Sequence, residues 1–341
     1  MRRLLVLFCL LALLLTGCAG QQALEPKQYT ATFLDVFDTV TTMVGRADSQ
    51  EIFAANAQSI HDALLEYHQL FDIYHDYEGL NNLKTINDNA GIAPVVVDQK
   101  IMDLLLDCKT YYDLTGGRVN VAMGSVLHLW HNARNDGIND PANARLPDGE
   151  ALAEAALHTS MDALILDQAA STVYLADPKM RLDVGAVAKG WALQRVCETA
   201  PEAMLISVGG NVCPTGPKDA SGTPWVVGVQ NPDGGSDYLH TLYTATDSVV
   251  TSGDYQRAYM VDGKLYHHII DPDTLYPSTH WRAVTIVCGD SGLADALSTA
   301  LFLLPQAEGQ ALLDACDAEA LWVSHDGTLL YSPGFQSILR T

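Results

Sequence analysis

The stretch TSGDYQRAYMVDGKLYHHIIDPDT, residues 251–274, combines a Ser-Gly step, an Asp-Gly turn, two adjacent histidines and an Asp-Pro step. Strand-like runs at 258–261 and 265–270 flank the Asp262-Gly263 turn, and this pattern predicts a β-hairpin. Side chains suited to proton transfer and to contact with phosphate stand where ordinary strands carry Val and Ile. The stretch therefore predicts a sheet built around reactive groups, which favours an enzyme over a structural protein.

Strands outnumber helices along the rest of the chain, and many strands join through tight turns. Helices are predicted at 49–71, 99–115, 149–156, 183–197, 291–304 and 306–316. Strands are predicted at 33–44, 161–166, 172–175, 203–208, 225–230, 241–246, 248–251, 283–288, 320–324 and 329–331. Polar loops are predicted at 72–82 and 135–148. This order favours an α+β fold with mixed, largely antiparallel sheets and packed helices over a doubly wound parallel sheet.

The N-terminal residues 1–17 are typical of a lipoprotein signal peptide. Arg2 and Arg3 form a positive start, and the apolar run 4–15 is short for a permanent membrane span. The small residues directly before Cys18 resemble a bacterial lipobox, which implies cleavage before Cys18 and a lipid on its sulfur. The alternative is an ordinary secretory signal followed by an incidental cysteine.

This interpretation divides the chain into three segments. The signal peptide is followed by the lipidated cysteine and a polar tether at 18–29, and then by a single domain at 30–341. Two or more acyl chains would hold the mature protein on a membrane. We therefore expect a lipid-anchored protein on the extracytoplasmic or periplasmic face of the cell membrane.

The chain is strongly acidic, with a net charge of −22 that becomes −24 once Arg2 and Arg3 are removed. Nucleic acid is excluded as a partner because phosphate contacts need a basic surface. Five cysteines remain outside the signal and the lipobox, widely spaced and without a CxxC pair: Cys108, Cys197, Cys213, Cys288 and Cys316. They predict buried thiols, not a disulfide framework or a zinc site.

Asp295 and Thr299 are four residues apart on a predicted helix, so that their side chains share one face. A carboxylate and a hydroxyl suit a hard cation such as Mg²⁺. The spacing is common, however, and it equally describes a solvated Asp beside a core Thr.

A Gly-rich segment, LDVGAVAKGWA at 182–192, leads into another predicted helix. Free N–H groups at such a helix start attract phosphate, and Lys189 can add a positive charge. The segment is neither a Walker A loop nor a GxGxxG motif. A plain strand-to-helix turn with a surface lysine remains the alternative.

His267 and His268 are neighbours on a predicted strand, so they should point to opposite faces. One of them can then face a site, while the other packs in the core. Asp254 and Asp271 lie close in sequence, which makes a proton-carrying role plausible for one histidine. Elsewhere, Tyr74 can stack on a flat ring, although core packing is the default for a tyrosine.

Taken together, these segments resemble the ApbE family of FAD:protein FMN transferases. The likeness spans residues 35–333 and is carried by seven motifs in the order of the family. They are FDTVTT, VNVAMGSVLHLW, LDVGAVAKGWA, LISVGGNVCPTG, PWVVGVQNP, the 251–274 stretch and ADALSTALF. The resemblance implies an α+β flavin transferase fold, Mg²⁺ as a cofactor and FAD as a substrate.

The resemblance also implies roles for individual residues. The metal ligands would be the Asp295 and Thr299 side chains and the Ala186 carbonyl. The positions expected to bind FAD are Phe37, Asp72, Ile73, Tyr74, Asn120, Lys189, His268 and Ile269. His268 would also act in proton transfer, with Asp254 as the other candidate base.

Two positions depart from the family pattern. Asn120 stands where Asp is frequent, and Leu275 follows Thr274 where the family commonly has Gly. Neither position belongs to the implied metal ligands, so the implied activity is retained.

The implied reaction is an attack by a Thr or Ser hydroxyl of a target protein on FAD, with Mg²⁺ against the pyrophosphate and AMP as the leaving group. The expected targets are flavoprotein subunits of membrane electron-transfer complexes. With water as the acceptor, the same site would be an FAD pyrophosphatase. A lipid-anchored FAD-binding protein without catalysis is the third possibility.

Overall fold

The computed structural model describes residues 26–235 and 237–340. The predicted signal peptide, the lipid site at Cys18 and most of the tether lie outside the described residues. Among the helices within that part of the chain, none combines the length and the apolar character needed to cross a membrane.

Eight α-helices occur in the described residues. They are α1 Gln50–Phe71, α2 Leu83–Asp88, α3 Gln99–Leu114, α4 Gly124–Asn139, α5 Gly149–Ala156, α6 Ala188–Cys197, α7 Ser291–Phe302 and α8 Gln306–Leu313. Oxygen-bearing side chains satisfy the exposed N–H groups where several of them begin. Ser49, Asp98 and Asp290 each accept a backbone N–H of the following turn, at 3.3, 2.8 and 2.8 Å. These caps explain why α1, α3 and α7 begin where they do.

The main sheet has eight strands in the order β1-β2-β6-β7-β10-β13-β14-β15, and every neighbouring pair is antiparallel. Its strands are β1 Lys27–Val36, β2 Thr39–Ala47, β6 Met204–Val208, β7 Asn211–Pro214, β10 Ser248–Gly253, β13 Ala283–Cys288, β14 Ala318–Val323 and β15 Leu329–Tyr331. The expected α+β class with largely antiparallel sheet is confirmed.

Three smaller antiparallel sheets complete the described strands. One joins β3 Val95–Val96, β5 Thr172–Leu175 and β4 Leu164–Asp167. The second joins β8 Trp225–Gln230 and β9 Tyr238–Thr244. The third is the hairpin of β11 Ala258–Val261 and β12 Lys264–His267, which the 251–274 stretch predicted.

The hydrophobic core lies between one face of the main sheet and helices α1, α6 and α7. Helix α7 contacts α6 and the central strands β10 and β13, and Ala294, Ala296 and Ala300 on it are fully buried. These small side chains let the helices and the sheet approach closely. A second apolar cluster covers the opposite face of the sheet beneath β8 and β9.

Two local predictions were wrong. The single strand predicted at 33–44 is two strands, β1 and β2, joined by the turn Phe37-Asp38. Both turn residues have positive φ, 53° and 51°, a conformation that sequence rarely signals without Gly or Asn. The polar loop predicted from residue 135 begins inside α4, which continues to Asn139.

Candidate active site

A cavity of about 950 Å³ opens above the core, at the upper end of the roughly 300–1,000 Å³ range of small-molecule sites. Its walls come from the β1–β2 turn, the loop after α1, helix α4, the entry to α6, the ends of β10 and β12, and α7. Segments far apart in sequence therefore converge on one space, and the predicted site can be checked position by position.

Asp295 and Thr299 of α7 share one face of the helix, as their spacing predicted, and both line this cavity. Asp295 is buried, and its Oδ2 accepts the backbone N–H of Gly190 at 2.9 Å. The Lys189 ammonium lies 3.5 Å from the same oxygen. Ala186 and Thr299 line the cavity as well. The three expected metal ligands and Lys189 are thus brought to one region.

Gly190 is what allows α6 and α7 to meet there. A Cβ added at Gly190 would lie 2.2 Å from the Ser291 carbonyl oxygen and 2.5 Å from the Asp295 Cβ. Only glycine permits this approach, because real Cβ contacts under 3.0 Å essentially do not occur. The Asp295 carboxylate can consequently reach the first turn of α6.

Asp72 organises the loop after α1. Its Oδ1 accepts the Tyr74 N–H at 2.6 Å and the His75 N–H at 3.1 Å, while Oδ2 accepts the Tyr77 hydroxyl at 2.9 Å. Burial by itself raises the pKa of Asp72, but these hydrogen bonds outweigh burial, and the net pKa is lowered. The carboxylate stays ionised and shapes the wall that Ile73 and Tyr74 form.

Tyr74 stacks on His131 of α4, with ring centroids 4.9 Å apart. Its hydroxyl donates to His131 Nδ1 at 3.2 Å, and the Arg134 guanidinium donates to the same nitrogen at 3.0 Å. Burial, and then the charge of Arg134, lower the pKa of His131, so that the ring is neutral and the two donors share the single lone pair of Nδ1. Tyr74 and His131 therefore form a flat aromatic wall that the Arg134 guanidinium contacts.

The Phe37 backbone is held at the rim of the cavity. Its N–H donates to His68 Nδ1 at 3.2 Å, and its carbonyl accepts from the Arg257 guanidinium at 3.5 Å. A bulky residue with positive φ is strained, and such strain persists where the surroundings fix it. Phe37 is therefore placed by helix α1 and by the turn after β10.

The two histidines differ in their surroundings, but not for the predicted reason, because β12 ends at His267, His268 lies outside the strand, and both line the cavity. His267 is buried, donates through Nε2 to the Ser278 carbonyl at 2.8 Å, and accepts the Ile269 N–H at Nδ1. His268 Nδ1 is buried and has no hydrogen-bond partner among the described residues. Burial, followed by the charge of Arg257, lowers the pKa of His268 to about 3. Both ring nitrogens of His267 are used in hydrogen bonds to the backbone, whereas His268 is a neutral imidazole whose Nδ1 is left free by the described residues to accept or donate a hydrogen bond.

Asp254 is not brought to the cavity. It is buried, and its Oδ2 lies 3.4 Å from the Arg282 guanidinium, which also binds Asp233. The neighbouring residues Tyr255 and Arg257 do line the cavity. The structure therefore leaves His268 as the better placed of the two candidate bases.

The two departures from the family pattern have structural roles. Asn120 lines the cavity, donates to the Thr159 carbonyl at 2.9 Å and accepts the Ala122 N–H at 2.9 Å. An ionised Asp could not make the first bond. Leu275 has φ of 62°, a conformation that favours Gly, and its carbonyl accepts from Trp130 Nε1 at 2.8 Å.

Several lining residues were not identified from the sequence. Arg134 and His131 lie three residues apart on α4, but no helix was predicted there and neither side chain was identified as a site residue. Arg257 lies within the 251–274 stretch, but no role at the site was predicted for it. Asn211, the first residue of β7, is 1% exposed and its Nδ2 lacks a hydrogen-bond partner within the described ranges. A buried donor without a partner needs an explanation, and because Asn211 lines the cavity, a ligand contact supplies one.

Comparison with known proteins identifies relatives across most of the chain. The profile of the ApbE family matches residues 37–322. The FAD:protein FMN transferase of Treponema pallidum is 35% identical over 277 residues, covering 76% of this chain and 75% of the relative. That of Klebsiella pneumoniae is 32% identical, covering 77% and 83%. The crystal structure of the ApbE protein of Thermotoga maritima superposes with a TM-score of 0.81 at 30% identity, covering 92% and 100%.

Proposed function

This chain belongs to the ApbE family, and we propose on that basis that it transfers the FMN half of FAD to a hydroxyl group of a target protein. The enzyme is an FAD:protein FMN transferase, and FAD is its substrate. The observation that carries the assignment is the convergence of Asp295, Thr299, Lys189 and His268 on one cavity of sufficient size, in a fold shared with a solved ApbE protein.

The reaction exchanges one bond to phosphorus for another. The oxygen of a Thr or Ser side chain attacks the phosphorus of the FMN half, a P–O bond of the pyrophosphate breaks, and AMP leaves. The acceptor hydroxyl loses its proton in this step. Catalysis of phosphoryl transfer depends on positioning and on charge stabilisation more than on covalent participation of the protein.

Mg²⁺ is the cofactor that the donor set fits. Asp295, the Thr299 hydroxyl and the Ala186 carbonyl are hard oxygen donors of the kind that this ion prefers. No cluster of three or more His, Cys, Asp or Glu side chains suited to a metal occurs in residues 26–235 and 237–340. The ligands that complete the coordination of the ion beside Asp295 would therefore mostly be neutral oxygens or substrate phosphate. When bound, the ion would neutralise pyrophosphate charge in a strongly acidic protein.

His268 is the residue that we assign to the acceptor proton. Its pKa of about 3 keeps the imidazole neutral at physiological pH, and its buried Nδ1 is unpartnered within the described chain. A base with such a low pKa binds a proton weakly on its own. The approach of a phosphate anion would raise this pKa, because the negative charge favours the imidazolium.

Other residues would hold the substrate. Tyr74 with His131 offers a flat stacking surface for a ring system, and Ile73 and Phe37 line the cavity nearby. Asn120 also lines the cavity, and its side chain is held by hydrogen bonds to the Thr159 carbonyl and the Ala122 N–H. Lys189, in the first turn of α6, and Ile269, after β12, also line the cavity.

Flavin labelling tests the assignment. The protein is incubated with FAD, Mg²⁺ and a flavoprotein subunit of a membrane electron-transfer complex, and flavin fluorescence is read in a denaturing gel while AMP is quantified. We expect a fluorescent target and equimolar AMP, both lost with EDTA. AMP without a labelled target would assign FAD hydrolysis, and bound FAD without either product would assign storage.

The metal assignment is tested by Asp295→Asn. The variant keeps the size of the side chain but removes its charge, and we expect a loss of Mg²⁺-dependent turnover of about 100-fold or more. Asp233→Asn is a matched control, because Asp233 pairs with Arg282 outside the cavity. Equal rates for both variants would exclude Asp295 as a ligand.

We also propose a lipid anchor at Cys18 that holds the domain at the extracytoplasmic or periplasmic face of the membrane. The sequence pattern before Cys18 supports it. Cys18→Ser should move the protein from the membrane fraction to the soluble fraction after cell breakage. Retention in the membrane fraction would contradict a lipid at this position.

A further inference from the structure

Two of the arginines that line the cavity have no ion-pair partner among the described residues, although the carboxylates of Asp38 and Asp183 line the same cavity. Four cationic side chains line it: Arg118, Arg134, Lys189 and Arg257. Arg118 is paired with Asp273 at 2.6 Å, and Lys189 lies 3.5 Å from Asp295. Among the described residues, Arg134 and Arg257 have no carboxylate within 4.0 Å. In a chain with a net charge of −22, such a pair is unexpected on composition alone.

Neutral acceptors orient both guanidinium groups. Arg134 donates to Nδ1 of His131, which is itself fixed by stacking on Tyr74. Arg257 donates to the Phe37 carbonyl at the cavity rim. A guanidinium has five N–H donors, so each arginine retains donors for a further acceptor. Neither contact cancels the positive charge.

The two charges also act on each other. Burial, and then the charge of Arg257, lower the pKa of Arg134, which places both groups in one electrostatic environment. Asp183 acts on Arg134 in the opposite direction without forming an ion pair. Arg134 is partly buried and Arg257 is exposed, and the repulsion between their two charges favours the binding of an anion near both.

The proposed reaction generates such an anion. FAD carries two negative charges on its pyrophosphate, whereas the products are a phosphodiester with one charge and AMP with nearly two, together with a proton. Negative charge therefore develops on the phosphate of the departing nucleotide. Preorganised donors aimed at developing charge are among the largest contributions to catalysis.

We propose that Arg134 and Arg257 form the binding site for the phosphate of the departing AMP. Planar guanidinium groups bind phosphate oxygens through paired hydrogen bonds, which an ammonium group cannot reproduce. The inference rests on the proposed transferase function and adds to it the two residues that stabilise the leaving group.

Calorimetric binding of AMP tests the site without turnover. Arg134→Gln and Arg257→Gln should each weaken AMP binding by about 10-fold or more, whereas adenosine, which lacks the phosphate, should bind each variant as it binds the wild type. Arg118→Gln is the matched control, since its guanidinium is already paired, and its AMP affinity should stay within about 3-fold. Arg134→Lys and Arg257→Lys keep the charge and should fall between the wild type and the Gln variants.

Unchanged AMP affinity in both Gln variants, or an equal loss in Arg118→Gln, would overturn the inference. If flavin transfer falls in the Arg134 and Arg257 variants while AMP affinity holds, the inference fails and the transferase assignment stands. If the wild type binds AMP through both arginines but labels no target, the transferase assignment fails and the phosphate site stands.

Discussion

Replacing Gly190 by Ala tests whether the close contact of α6 and α7 sets the position of Asp295. The added Cβ would begin 2.2 Å from the Ser291 carbonyl oxygen and must retreat to at least 3.0 Å, a movement of about 0.8 Å. The same movement would lengthen the Gly190 N to Asp295 Oδ2 distance from 2.9 Å to about 3.7 Å, beyond hydrogen-bonding range.

The expected cost follows from these displacements. Overpacking costs about 1–3 kcal/mol, a lost hydrogen bond to a charged acceptor about 1.5–3 kcal/mol, and the better helix propensity of Ala returns about 1 kcal/mol. We expect Gly190→Ala to lower the free energy of unfolding by about 1.5–5 kcal/mol in urea titrations. Because a misplacement near 1 Å can reduce catalysis about 100-fold, flavin transfer should fall to that extent in the folded variant.

Gly149→Ala is the matched control. Gly149 begins α5, whereas Gly190 lies in the first turn of α6, and a Cβ at Gly149 would meet nothing within 4 Å. This variant should be as stable as the wild type or slightly more stable. Equal stability and equal activity of the Gly190 and Gly149 variants would refute the claim that the helix contact positions Asp295.

Three further variants probe the histidines and the neutral amide. The pKa of His268 is lowered to about 3 by burial and neighbouring cations, so below about pH 6.5 the unfolded chain binds a proton that the folded protein does not bind. The wild type should therefore lose stability relative to His268→Gln as the pH falls from about 6.5 to 5. Parallel plots of stability against pH for the two proteins would contradict this. Burial lowers the pKa of His61, but hydrogen bonds to carboxylates, including that of Asp35, outweigh burial, and the net pKa is raised. The stabilisation that His61 gives the folded protein is therefore complete below about pH 6.5 and is lost as the pH rises through the pKa of His61 in the folded state. His61→Gln should remove this pH dependence from the denaturation midpoints. Asn120→Asp should destabilise the protein by about 1–3 kcal/mol at neutral pH, since a carboxylate cannot donate to the Thr159 carbonyl; an unchanged urea midpoint would show that this bond is dispensable.

Local periodicity was enough to predict that Asp295 and Thr299 share one face of a helix, because side-chain direction in a helix follows from spacing. It did not predict the placement of His267 and His268, because β12 ends at His267 and both histidines line the cavity. The hairpin in the 251–274 stretch was equally local, because Asp262-Gly263 identifies its turn. The α+β class followed from the order of such elements.

Contacts over long sequence distances could not be predicted in this way. Asp254 was a candidate base until the fold placed it against Arg282, and no pattern in the sequence indicates that pairing. Helix α4 was not predicted, and its second half is polar and contains Gly137. The ring of Tyr259 from the hairpin occupies the space beside that glycine, 2.6 Å from where a Cβ would lie. Tertiary packing thus stabilises a helix that propensity disfavours, and it carries Arg134 to the cavity.

The ammonium of Lys189 beside Asp295 has a consequence for how the domain is made in the cell. Because the Lys189 ammonium already compensates the charge of the buried Asp295 carboxylate, folding of the chain does not require a divalent ion. Apoprotein purified in chelator should accordingly melt at the temperature of untreated enzyme when nucleotide is absent. Supply of the ion would then govern how often the enzyme turns over, and not how much of it accumulates.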